Sequence, residues 1–102
     1  MEQLEQISMT IIAASGTAKS LYIEAIQEAK KGNFEQANQL IEEGHQIFVT
    51  GHHAHAQLLQ ESAEGELPFS LLLLHAEDQM MSSETIKVLA EELIDVYATR
   101  KG

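Results

Sequence analysis

The stretch LLLLHAEDQMMS, residues 71–82, sets a histidine and two acids inside a run of Leu and Met. Wound as a helix, it places His75 and Asp78 three residues apart, near each other on one side. Leu71, Leu74, Asp78 and Met81 follow a 3-4-3 spacing, so Asp78 sits on an apolar stripe. Leu72 and His75 lie on the neighbouring line. Ionisable groups are costly to bury without partners, so the rest of the sequence must explain their placement.

Helical spacing continues in both directions from this stretch. Towards the C-terminus, Ile86, Leu89, Leu93 and Val96 extend the line of Leu72 and His75, predicting a helix to about Arg100. Before it, the only Pro in the chain, Pro68, suits a first helical turn, where its missing N–H is not needed. The preceding segment carries Phe34, Ala37, Leu40, Ile41, Gly44, Ile47, Phe48, Gly51, Ala54 and Leu58 and ends near Glu64-Gly65. Gly44 and Gly51 lie on its inner stripe. Glycine within a helix costs about 1 kcal/mol against Ala, and close approach of another helix is the compensation expected.

The first segment reads Leu4, Ile7, Ile11, Ala14, Ala18, Leu21, Ala25 and Ala29, close to a heptad pattern. Lys30 and Lys31 suit the negative end of its dipole, and Gly32 can take the left-handed C′ conformation. Asn33 then reads as an N-cap, with Gln36 completing a capping box. No strand-like alternation and no Asn-Gly or Asp-Gly turn occurs. Three helices of about 30 residues, each roughly 45 Å long, joined by short connections, make an all-α, antiparallel three-helix bundle.

The third helix is apolar around its whole circumference at Leu71 to Leu74. A three-helix protomer cannot bury all of that, so self-association is expected. A symmetric assembly would bring copies of Asp78 together, unfavourable unless they are protonated, hydrated or bridged by a cation.

With 102 residues, the chain is expected to form a single domain spanning 1–102. Six basic residues face sixteen acidic ones, for a net charge of −10. That argues against a nucleic-acid partner, whose phosphates need Lys and Arg. It favours basic protein partners, or serves solubility alone. No Cys is present, which excludes disulfides and thiolate chemistry. The longest apolar run is too short to span a bilayer. MEQLEQIS lacks the features of a signal peptide, so a soluble protein is expected.

Five histidines occur, at 45, 52, 53, 55 and 75. His45, His52 and His55 share a side of the second helix, a spacing that could support a transition metal. No HExxH, Cys or adjacent carboxylate accompanies them, so exposed or interface positions are the stronger reading for His45 and His53. A neutral imidazole can attack phosphorus, and His75 could do so if reachable. Periodicity alone favours the other reading, a core histidine held by a carbonyl or an acid. No hydrolase elbow, P-loop or Gly-rich nucleotide turn is present, which leaves an acidic helical interaction protein as the reading from the residues alone.

LPFSLLLLHAEDQMMSS, residues 67–83, resembles the active-site segment of the lactose/cellobiose family of enzyme IIA, components of the bacterial sugar phosphotransferase system. The family pattern is Leu-Pro, an apolar run, then His-Ala/Gly-Gln-Asp-His-Leu-Met. GTAKS (Gly16 to Ser20) and KKGNFEQANQLIEEG (Lys30 to Gly44) are similar to family segments as well, and GHHAHAQLLQ matches more loosely.

The resemblance implies a cytoplasmic phosphohistidine carrier. His75 would accept a phosphoryl group from phospho-HPr and pass it to the cognate IIB. It further implies a homotrimer, a nine-helix bundle, with Asp78 near the threefold axis beside a divalent cation such as Mg²⁺. Gln79 stands where the family usually has a second histidine, and can still donate a hydrogen bond to a phosphoryl oxygen. Glu77 stands where the family has Gln, adding a negative charge that i+2 spacing points partly away. A non-catalytic scaffold or regulator on the same fold is the alternative.

Overall fold

The computed structural model describes residues 2–61 and 70–101. Three helices follow one another: α1 (Glu2–Lys30), α2 (Phe34–Glu61) and α3 (Leu71–Lys101). They lie antiparallel in a rod of 55 × 19 × 16 Å. Among the described residues no helix is long and apolar enough to cross a membrane.

The α1–α2 turn is a Schellman motif. Gly32 takes φ 88°, a value that favours glycine. Its N–H donates to the Ala29 carbonyl at 3.0 Å, and Asn33 N–H to the Glu28 carbonyl at 2.9 Å, satisfying two end carbonyls of α1. The expected reciprocal box between Asn33 and Gln36 is not what forms. The Asn33 amide reaches back instead, donating from Nδ2 to Oε1 of Glu28 at 2.9 Å. That bond, with Lys31 beside it, holds the Glu28 carboxyl below its usual range.

The start of α3 is capped by Ser70, whose Oγ accepts from Leu73 N–H at 3.1 Å, an N-cap bond. Pro68 and Glu64-Gly65, assigned above to a helix start and a helix end, lie outside the described residues.

Helix α1 packs against both other helices. Its expected line is buried at Leu4, Ile11, Ala14, Ala18, Ala25 and Ala29. Tyr22, rather than Leu21, is its largest fully buried side chain, and Ser8 and Ser15 add a second buried line. On α2, both inner glycines sit against α1. A Cβ on Gly44 would stand 2.7 Å from Cε1 of Tyr22, and one on Gly51 would stand 3.1 Å from Cβ of Ala14.

Helix α3 departs from the reading above. Its core side carries Leu73, Ala76, Met80, Ser83, Ala90 and Ile94. The expected line is largely outside: Leu89 and Val96 are about half exposed and Leu93 is exposed as well. The reason is that the apolar residues of α3 are spread around the helix rather than gathered on one side, so spacing alone did not select a face. The small residues decide it, because Ala76, Ser83 and Ala90, seven apart, let the α3 backbone approach its neighbour closely.

Candidate functional site

The stripe of Leu71, Leu74, Asp78 and Met81 faces outward in the protomer. Leu71 is 75% and Met81 59% exposed. His75, beside this stripe, is exposed too. The core-histidine reading is therefore overturned: His75 is one residue short of Ala76, which takes the buried position. Leu71 and Leu72 precede His75 by one turn, at the i−4 and i−3 positions that share its side of the helix.

The three residues after Ala76 point in different directions. Asp78 is exposed. Glu77 turns to α2, where its Oε2 lies 2.7 Å from Nε2 of His55. Gln79 turns to α1, where its Oε1 accepts from Nζ of Lys19 at 3.1 Å. Glu77 is thus aimed away from His75 and already engaged. Gln79, one turn after His75, is tied to a cation.

The other histidines do not converge. Among the described residues no group of three His, Asp or Glu side chains is placed to hold a metal ion. His52 and His53 are exposed, and the His52 ring stacks on Phe48 with centroids 6.4 Å apart. His45 lines a crevice with Tyr22, Glu84 and Lys87. Asp78 differs from these. One protomer supplies a single carboxylate there, a hard oxygen donor that suits Mg²⁺, so only copies of the chain could assemble a set.

Two site features were not legible as such in the sequence. Lys19 lies in the GTAKS segment, yet nothing local pairs it with Gln79, sixty residues on. The partner of Glu77 is equally remote. The one available signal for Lys19 was a lysine on a helix side it shares with Ile12, Ser15, Gly16, Tyr22 and Ile26.

Residues 6–98 match the family described as PTS system, Lactose/Cellobiose specific IIA subunit. An oligo-beta-mannoside-specific EIIA component of Bacillus subtilis is 39% identical over 94% of this chain and 88% of its own length. A lactose-specific EIIA component of Staphylococcus epidermidis is 32% identical over 99% and 96%. Among solved structures, the cellobiose-specific enzyme IIA of Bacillus anthracis superposes with a TM-score of 0.89, at 35% identity over 94% of this chain and 89% of that one. The IIA(chitobiose) of Escherichia coli, solved in complex with HPr, gives 0.86 at 31% identity over 97% of each chain.

Proposed function

Because this chain belongs to the lactose/cellobiose-specific IIA family of the sugar phosphotransferase system, whose members are phosphotransferase components, we propose that His75 carries the phosphoryl group between HPr and a cognate IIB. The observation that carries this assignment is the exposure of the His75 ring beside leucines at the start of α3. A related IIA was solved bound to HPr, which supports HPr as the donor.

In the first step a ring nitrogen of His75 attacks the phosphorus of phospho-HPr. The new N–P bond forms as the donor's phosphoryl bond breaks, and HPr leaves. In the second, a nucleophile of IIB attacks the same phosphorus and the His75 N–P bond breaks. Such transfers require little covalent work from the protein beyond positioning and electrostatics. The apolar surround of His75 gives each partner a surface to dock on and excludes water from the adduct. Both partners need the same nitrogen, so their sites overlap and they bind in turn. A cytoplasmic location belongs to the same proposal.

A homotrimer extends it. Leu71, Leu74, Met81, Val88, Leu89 and Val96 are exposed along one side of α3, and a contiguous exposed apolar face of this kind marks an association surface. Three copies packed through it would bring the Asp78 carboxylates together. Asp78 is then the residue that would hold Mg²⁺ or a similar divalent cation. When bound, the ion would offset most of the charge of those carboxylates.

Incubation with phosphoenolpyruvate, enzyme I and HPr tests the carrier. The expected result is an acid-labile mass gain of one phosphoryl group per chain, absent from His75→Gln. No gain in the parent protein refutes the assignment and favours a scaffold or regulator.

A further inference from the structure

We infer that Lys19 is a positioning residue for the phosphoryl group on His75, acting by fixing the side-chain amide of Gln79. The inference rests on the carrier reading above and adds to it a residue from α1.

An ammonium group only donates, and a glutamine amide accepts only through its oxygen. The 3.1 Å contact between Lys19 Nζ and Gln79 Oε1 therefore sets which way the amide faces. Its oxygen is turned to α1, and the NH₂ group is left on the other edge. Gln79 lies one turn after His75, and helical side chains lean towards the helix N-terminus. The lean carries the amide over the His75 turn. The edge that remains free is the donating one, which suits an incoming phosphoryl oxygen.

The charge of Lys19 strengthens the arrangement. The ion pairs formed among the described residues are Lys31–Glu28, His55–Glu77 and Lys87–Glu91, so Lys19 spends its charge on no carboxylate there. It is half-buried, which limits screening by solvent. A cation on the amide oxygen polarises the NH₂ group and makes it a better donor. Without the cation the amide can rotate and present its oxygen, which repels the phosphoryl oxygens.

Loading with phosphoramidate tests this without HPr. The imidazole attacks phosphorus, the P–N bond of the reagent breaks and ammonia leaves. The exposed His52 and His53, on α2, load as well and serve as controls. On loading of His75, NMR is expected to show the Gln79 side-chain amide protons moving downfield in the parent and in Lys19→Arg, but not in Lys19→Met. Stabilising the dianionic ground state more than the looser transition state slows loss of the group. The His75 adduct is thus expected to hydrolyse about threefold faster in Lys19→Met, the scale of one hydrogen bond, with the His52 and His53 adducts unchanged. Lys19→Met/Gln79→Leu should match Gln79→Leu alone.

An unchanged His75 adduct lifetime in Lys19→Met, or a persisting amide shift, overturns the inference. So does an extra loss in the double variant, because Lys19 would then act on the phosphoryl group directly. Lys19→Ala, a better helix former, repeats the test if the Met variant loses helical signal. A parent that loads with phosphoramidate but not from phospho-HPr refutes the carrier reading while the amide measurement still decides the role of Lys19. A His75 that loads from neither reagent refutes both.

Discussion

Nε2 of His55 lies 2.7 Å from Oε2 of Glu77, joining the later turns of α2 to the helix that carries His75. The two side chains are 14% and 30% exposed, so solvent screens the pair only in part. Helix α2 meets α3 far less than it meets α1, and this bond is one of its few polar ties there. His55→Ala is expected to lower the unfolding free energy by about 1 kcal/mol, read from urea denaturation. Glu77→Gln keeps an acceptor and should lose less than Glu77→Ala. Because Glu77 faces α2, all three variants should still take a phosphoryl group from phospho-HPr. Loss of phosphorylation in a folded Glu77→Ala would place that carboxylate in the site instead.

Two glycines give opposite expectations for the same substitution. A Cβ on Gly44 meets the Tyr22 ring at 2.7 and 3.0 Å and the Ala18 carbonyl oxygen at 3.3 Å. The ring is fully buried and cannot swing into solvent. Overpacking of this kind costs about 1–3 kcal/mol, more than the roughly 1 kcal/mol that Ala gains over Gly in a helix. Gly44→Ala should therefore destabilise. A Cβ on Gly16 meets nothing within 4 Å, so Gly16→Ala should stabilise by up to about 1 kcal/mol. Thermal unfolding of the two variants side by side checks the pair, and equal shifts would contradict the packing at Tyr22.

Tyr22 links the core to alkaline stability. Burial, with the charges of Glu91 and Glu84 adding to it, pushes its phenol up to about 12 from 10. The unfolded chain releases this proton near pH 10 and the folded chain near 12, so the folded state binds more protons in between. Stability is full below about pH 10 and falls as pH rises towards 12, by at most about 2–3 kcal/mol. Among the described residues the Tyr22 hydroxyl has no hydrogen-bond partner, so Tyr22→Phe leaves no donor orphaned and should fold at neutral pH as stably as the parent. It should also flatten the loss between pH 10 and 12. A parent and a variant that weaken together over that window would assign the loss to other groups.

How much of this was legible depended on the helix. On α1 an apolar line recurs at steps of three and four, so Ile11, Ala18 and Ala25 could be assigned to the core from position alone. The same holds for Gly44 and Gly51, because a glycine inside a helix needs a reason and contact with a second helix supplies one. On α3 every position of the first turn is apolar, and spacing cannot rank Leu72 above Leu73. The buried face was marked by Ala76, Ser83 and Ala90, small residues that hydrophobicity undervalues. Periodicity alone favoured a core place for His75 for the same reason, and only the family resemblance pointed to a reachable ring. The ties to Gln79 and Glu77 come from other helices, and no local rule brings Lys19 or His55 to them.

The outward face of α3 carries the last prediction. Asp78 stands between Leu74 and Met81, all three exposed, and in the proposed trimer its copies approach one another. Like charges so placed oppose association unless a cation offsets them. Asp78→Leu removes the charge and adds apolar surface to the same stripe, so the trimer should persist and its divalent ion should be absent. Light scattering reads the mass and metal analysis the ion. In the parent, chelation leaves the carboxylates facing one another and should shift the assembly towards monomers at low concentration, an effect Asp78→Leu should not show. Met81→Glu/Val88→Glu puts two charges into the apolar face and should yield folded monomers. A monomeric Asp78→Leu would mean that its carboxylate holds the subunits together through some other contact, and the placement of Asp78 near the axis would be wrong.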